Sequence, residues 1–416
     1  MGSIEIFDEN SRMEHSSFET AAVHAGRAGL NQLGVHALPI DLSSTAPLHD
    51  IAGGGHSYEL LAAGGSLAEG ESTVYRRLWN PTVARFEEAM TELETWALRA
   101  RSSALADDVQ TVAFASGMAA ISALLLSRVS QGLGHVLAVR PIYGGTDHLL
   151  AIGLLGTRVD FVPADRIADA IRDDTGLVVV ESPANPSLDL VDIRRIVSDS
   201  GRVPVMVDNT FATPVLQQPL DLGVTFSVHS ATKYLGGHGD AMGGTVTTTS
   251  EHATTLRQIR AITGGLLDPL SAYLLHRGLP TLPLRVRRQE ETARALAIWL
   301  KGRREVMRTY YPGFPECDEQ KLVASQMYGA GAMVSVELAG GFAAAEAFIG
   351  GLELITHAVS LGGVDTLIQH PAALTHRLVA SEAKPSDGLL RISVGLESFE
   401  DLVRDLARGF ARTQRS

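Results

Sequence analysis

Lys233 stands in the run Ser227-Val228-His229-Ser230-Ala231-Thr232-Lys233-Tyr234-Leu235-Gly236-Gly237-His238-Gly239-Asp240. A lysine with Ser230 three residues before it, Thr232 one before it and a glycine-rich turn after it can form a Schiff base with pyridoxal phosphate (PLP). The two hydroxyls and nearby backbone N–H groups can hold the phosphate, and the glycines allow close backbone approach. Upstream, Val205-Met206-Val207-Asp208-Asn209-Thr210 reads as a buried strand ending in Asp208, whose carboxylate can pair with a pyridinium nitrogen. Ser116-Gly117-Met118 sits at a strand-to-helix junction, where free N–H groups and the helix dipole favour a phosphate; a tight packing turn explains the three residues equally well. Tyr143 follows the run Val136 to Ile142 and precedes two glycines. Taken alone, a tyrosine at a strand end is more often a packed residue. Asn185 lies in a loop between two prolines, where it can bond a cofactor phenolate or a substrate carboxylate. Arg391 begins a strand late in the chain, and its planar fork suits a bidentate grip on an α-carboxylate; a structural salt bridge is the plainer alternative. Ser360 can contact that carboxylate or Lys233, or simply cap a loop.

These residues need a scaffold of some size. The chain has 416 residues, long enough for two or three domains. A formal net charge of −12 argues against a nucleic-acid partner, since phosphate binding wants a basic surface. The single cysteine, Cys317, excludes an internal disulfide framework and a cysteine zinc cluster and points to a reducing compartment. No run reaches the roughly 18 apolar residues of a membrane helix. The polar, acidic stretch Met1 to Ser17 has no signal-peptide core. These features predict a cytoplasmic protein with no membrane association. No histidine pair has zincin spacing, so no metal is expected. The segment Gly236 to Gly244 is neither a P-loop nor a dinucleotide fingerprint.

Along the chain, residues 1–74 show little regular period and read as an extended arm. Within them Ile51 to Ser72, rich in Gly, Ala and Ser, reads as a mobile segment or loop. Pro81 to Trp96 has helical spacing through Val83, Phe86, Met90 and Leu93. Thr111–Ala115, His135–Val139, Val159–Val162, Leu177–Glu181, Pro204–Asp208 and Thr225–His229 read as strands. Helical pieces such as Ala119–Leu126, Ile167–Ile171 and Val191–Ile196 lie between several of them. That alternation predicts an α/β fold with a mostly parallel sheet covered on both faces. After about Leu267 the texture changes to long helices such as Arg288–Lys301, then to strands at Ala332–Leu338 and Leu389–Val394: a smaller α+β unit. The expected division is 1–74, 75–267 and 268–416.

From about Phe18 to Phe410 the chain resembles the cystathionine γ-synthase, cystathionine γ-lyase and methionine γ-lyase family of PLP enzymes. The resemblance rests on motifs in the family's order. They begin with Tyr75-Arg76-Arg77-Leu78-Trp79-Asn80-Pro81-Thr82, Ala115-Ser116-Gly117-Met118, Tyr143-Gly144-Gly145 and Glu181-Ser182-Pro183-Ala184-Asn185-Pro186. They continue through Val207 to Phe211, the Lys233 block, Val359 to Gly363, His370 to His376 and Arg391 to Glu397. The resemblance implies the fold-type-I PLP transferase architecture, with a seven-stranded sheet sandwiched by helices. It implies that Tyr143 stacks on the cofactor and protonates the leaving group, and that Arg391 holds the substrate carboxylate. It also implies that Tyr75 and Arg77 reach the phosphate of a neighbouring subunit, in a homotetramer built as a dimer of dimers with shared sites; the arm 1–74 would contact that neighbour. Arg76 reads instead as a surface arginine capping the helix that starts near Pro81. Trp79 would narrow the entrance or fill an interface.

The chemistry so implied is γ-elimination from a γ-substituted L-amino acid such as cystathionine, methionine or a homoserine derivative. γ-Replacement by a nucleophile is the alternative. A PLP-binding regulator and an aminotransferase are less favoured, because every expected catalytic residue type is present. Methionine γ-lyases of the family carry cysteine where this chain has Gly145, which argues against a dedicated methionine enzyme.

Overall fold

The computed structural model describes residues 16–67 and 71–414. Most of the Met1 to Ser17 stretch therefore lies outside the described residues, as do residues 68–70 of the Ile51 to Ser72 segment. A seven-stranded sheet carries β1 (Val109–Phe114), β2 (His135–Ala138), β3 (Arg158–Phe161), β4 (Thr175–Glu181), β5 (Val205–Asp208), β6 (Phe226–His229) and β7 (Gly244–Thr249). Its order is β1-β7-β6-β5-β4-β2-β3. The five strands from β6 to β3 pair in parallel, and β7 runs antiparallel to both β6 and β1.

The strands are apolar on both faces because both faces are covered. Along β4, Leu177 and Val179 enter one buried cluster with Leu124, Leu125 and Phe226, while Val178 and Val180 enter another with Ile193, Ile196 and Val207. This is the period-2 alternation of a strand, with helices waiting on each side. The helix Gly117–Val129 is apolar nearly all round, and Leu124 and Leu125 on it are fully buried. Each such leucine contributes about 1.5–3 kcal/mol of burial.

Three elements differ from expectation. The arm is not extended throughout: Phe18–His24 is a helix that sends Phe18, Ala21 and Ala22 into the main core. Ile51–Ala62 is a helix and not a loop. Asp50 caps it, accepting from the Gly53 N–H at 2.7 Å. Leu61 packs with Leu78 and Ala261, and Trp79 joins that cluster. Packing and a cap override the poor helix propensity of three glycines. The strand β7 has no apolar run to mark it. Thr245, Thr247 and Thr248 are fully buried there. Its only signal is β-branching, which suits a pleated surface.

A second, five-stranded sheet carries β8 (Val306–Tyr310), β9 (Met333–Leu338), β10 (Thr356–His357), β11 (Leu367–Gln369) and β12 (Leu389–Ser393), in the order β10-β11-β12-β9-β8. The helices Gly341–Ile349 and Phe399–Thr413 pack together beside it, with the Phe348 and Phe410 rings 4.7 Å apart. The 20-residue helix Leu282–Lys301 sends Val286 and Leu296 into one core shared by Ala113 and Leu216 from the large sheet's side and Val334 and Ile392 from the small sheet. That shared core docks β12, and with it Arg391, against the large sheet.

Candidate active site

In parallel α/β sheets ligands gather at the carboxyl ends of the strands, where the chain turns and helix N-termini begin. Here β1 leads into Ser116, β2 toward Tyr143, β4 into Glu181 and Asn185, β5 ends at Asp208, and β6 leads into Ser230, Thr232 and Lys233. Ser116 caps the helix Gly117–Val129, its Oγ accepting from Ala119 N–H at 3.1 Å. Gly117 and Met118 occupy the first turn, where N–H groups have no intrahelical acceptor. A Cβ at Gly117 would come within 3.0 Å of Ser230 Cβ, so glycine is what lets the helix start meet the lysine segment.

Lys233 is half-buried and donates from Nζ to Ser360 Oγ at 2.9 Å. Burial, and then the Arg391 cation, pull its amine down to about 8. Ser360 has φ +100°, a strained conformation for a residue with a side chain. Asp208 Oδ1 accepts from the Thr210 hydroxyl at 2.5 Å and the Thr210 N–H at 3.1 Å. The Thr210 oxygen in turn accepts from Ser230 N–H at 2.9 Å. Thr210 thus ties the carboxylate to the lysine segment. Burial raises the Asp208 pKa, against the lowering effect of the Thr210 bonds. The Thr232 hydroxyl is engaged with its own loop: it donates to Gly243 C=O at 3.2 Å and accepts from Gly243 N–H at 3.1 Å.

Arg391 is buried, and its guanidinium donates to Asn185 Oδ1 at 2.8 Å, Gln369 Oε1 at 2.8 Å and Ser360 C=O at 3.0 Å. All three acceptors are neutral, and Nε has no partner among the described residues. Burial pulls this guanidinium down to about 10. Gln369 passes the contact on to Thr375 Oγ1 at 2.5 Å, Thr375 to His376 Nδ1 at 3.0 Å, and His376 Nε2 to Asn185 C=O at 3.3 Å. The chain closes back on Asn185. Burial holds the His376 pKa below its usual value, in keeping with a neutral ring.

The sequence model of the Cys/Met metabolism PLP-dependent enzyme family matches residues 19–411. The chain belongs to that family. It is 57% identical over 388 residues to an L-methionine γ-lyase of Brevibacterium sandarakinum, covering 93% of this chain and 96% of that one. An L-methionine γ-lyase of Brevibacterium aurantiacum is 56% identical, with 95% of each chain covered. Among solved structures, metB from Corynebacterium glutamicum aligns with a TM-score of 0.84 and 34% identity, covering 97% of this chain and 99% of that one. This family member is a PLP-dependent enzyme of fold type I that catalyses γ-elimination from a γ-substituted L-amino acid.

The residues present fit PLP. Asp208 carries a burial penalty that a cationic ring nitrogen would relieve. The lysine amine is already easy to deprotonate, and the helix start at Gly117 supplies donors for a phosphate. The structure brings Lys233, Ser360, Asp208, Ser230, Asn185 and Arg391 into one connected set. Tyr143, an exposed ring at the head of the helix Gly144–Ile152, joins it through its backbone N–H on Glu181. Tyr75 and Arg77 make other contacts: the Arg77 guanidinium lies 5.7 Å from the Tyr75 ring centroid and donates to Ala261 C=O at 2.6 Å. Arg76 pairs with Asp268, at the start of the helix Pro269–Gly278, whereas Asn80 caps the Pro81 helix. Thr210, Gln369 and His376 are site residues that sequence reasoning missed. Thr210 alone carried a local signal, a hydroxyl two residues after the aspartate.

Proposed function

We propose that the natural reaction is the γ-elimination of L-methionine, with one water consumed, to methanethiol, 2-oxobutyrate and ammonia. The observation that carries the site assignment is the buried Arg391 guanidinium, held by neutral acceptors only and within electrostatic reach of Lys233. Such a cation calls for a carboxylate ligand. The 57% and 56% identity to proteins named L-methionine γ-lyase supports methionine. Those similarities outweigh the reading drawn from Gly145. The space is also spoken for, since a Cβ at position 145 would lie 2.5 Å from the Tyr143 ring.

PLP, when bound, supplies the electron sink that makes the Cα and Cβ protons acidic. The protein's part follows from its side chains. Arg391, braced by Asn185 and Gln369, grips the α-carboxylate. Lys233, at about 8, holds or releases a proton near neutral pH and moves the α-proton, with Ser360 Oγ fixing its amine. Tyr143 gives a proton to the departing sulfur. Asp208 would hold the ring nitrogen, and Ser116, Gly117, Met118, Ser230 and Thr232 would hold the phosphate. A cleft of about 520 Å³ is lined by Thr232, His238, Met242, Val359 and Ser360, the last of which bonds the lysine amine.

The reading extends to a cytoplasmic homotetramer in which Tyr75 and Arg77 complete a neighbour's phosphate site, with the chain divided at 74/75 and 267/268. Among the described residues no helix is long and apolar enough to cross a membrane. PLP-loaded enzyme given L-methionine should release methanethiol and 2-oxobutyrate in equal amounts. Inertness toward methionine, together with thioether formation from an acyl-homoserine and added thiol, would replace this reading with γ-replacement.

A further inference from the structure

The site leaves one buried acid unused. Glu181 ends β4, is 6% exposed, and sits in register with Asp208 on the neighbouring strand β5. Two carboxylates side by side in a buried place repel each other: burial and then Asp208 push the Glu181 pKa up, against the pull of the Tyr143 and Asn185 N–H groups and the Arg391 cation. Stability alone does not favour an acid there. What the side chain does is plain from its bonds. Oε2 accepts from Tyr143 N–H at 2.6 Å, and Oε1 accepts from Asn185 N–H at 3.0 Å. Tyr143 follows β2 and Asn185 follows β4, so one carboxylate spans two separate loops. Both N–H groups lie outside strands and helices, so no ladder supplies them with acceptors. Asn185 then carries Arg391 on its own Oδ1. The charged groups facing Glu181 are Asp208 on β5 and Arg391 on β12.

We propose that Glu181 is a positioning residue: it fixes the Tyr143 loop against the Asn185 loop, and so sets the leaving-group acid relative to the substrate-carboxylate clamp. The inference rests on the roles given above to Tyr143, Asn185 and Arg391. The chemistry of the group is specific. One N–H donor on each oxygen matches the ionised group, which offers two acceptor oxygens and no donor. Glutamine has the same shape but one acceptor, so its NH₂ would face one of the two N–H donors. Aspartate keeps both acceptors and falls short by one methylene. The substitutions Glu181→Gln and Glu181→Asp therefore separate chemistry from size.

The test uses PLP-loaded Glu181→Gln and Glu181→Asp enzymes. Three quantities are measured: the visible absorbance of bound PLP titrated from pH 6 to 10, the inhibition constant of L-norleucine, and kcat and KM for L-methionine. L-Norleucine carries an α-carboxylate but no γ leaving group. The Gln variant should show a displaced absorbance titration, a norleucine constant weaker by about tenfold, and kcat lower by about 100-fold. The Asp variant should fall between it and the native enzyme. If the Gln variant does not fold, the Asp variant decides. A lowered melting temperature with the absorbance titration and the norleucine constant within twofold of native would make Glu181 merely structural and overturn the proposal. The absorbance and norleucine readouts do not require methionine to be the substrate. A native enzyme inert to methionine would sink that reading and leave this one standing or falling by itself.

Discussion

Two buried arginines show how this fold separates structure from function. Arg260, on the helix Ser250–Thr263, meets the Glu87 carboxylate at 2.6 Å and Ala113 C=O at 2.7 Å. The charge is met by an opposite charge, and the pair pins the helix Pro81–Glu94, β1 and the helix Ser250–Thr263 together. Arg391 is equally buried, 3% exposed against 4%, yet its three acceptors are uncharged. A buried charge that the fold neutralises is a structural device. One whose direct bonds within the fold go only to uncharged acceptors marks a place for a ligand. The same logic joins Asp208 to Arg391: each is a buried charge for which a small molecule is the proposed partner.

The comparison can be broken most forcefully at Arg391. Arg391→Gln should lower kcat/KM for L-methionine by about 10²–10³-fold, mostly through KM, because the carboxylate loses its cation. Its melting temperature should hold or rise, since a costly buried charge is gone. Equal losses of stability and of substrate affinity would make Arg391 resemble Arg260. The reverse pattern is expected of Arg260→Leu. It strands the buried Glu87, and denaturant unfolding should show a loss of about 3–5 kcal/mol, with kcat per folded molecule near native. Glu87→Gln in that background should recover part of the loss.

A smaller effect sharpens the link between Arg391 and Lys233. Burial and the Arg391 cation disfavour the charged amine, so the Lys233 pKa falls to about 8 from the usual ~10.4. The free amine is the form that captures PLP. Capture by cofactor-free enzyme should therefore quicken as pH rises and reach half its maximum near pH 8. In Arg391→Gln the repelling cation is gone, the lysine pKa rises, and the midpoint should move to higher pH. A midpoint that stays put would place Arg391 out of electrostatic reach of the amine.

Much of this was legible in the sequence because the signals are local. The β4 run Leu177-Val178-Val179-Val180 announces a strand buried on both faces, and the mostly parallel sheet follows from several such runs. The Lys233 block and the aspartate closing β5 advertise PLP within a few residues each. What stayed hidden depends on long-range approach or on context. Glu181 reaches Tyr143 across 38 residues of sequence, and His376 reaches Asn185 across 191. No spacing rule connects such residues. The helix Ile51–Ala62 was obscured by its glycines, and β7 by its threonines; tertiary packing decided both.

The most direct measurement is a titration of PLP-loaded enzyme, native and Arg391→Gln, with L-norleucine and with its carboxamide, followed by the visible absorbance of the cofactor. The two ligands differ only in the charge that Arg391 is held to receive. Native enzyme should prefer the carboxylate by about 100-fold or more, and Arg391→Gln should lose the preference. Equal affinities in the native enzyme, or a preference that survives the substitution, would contradict it.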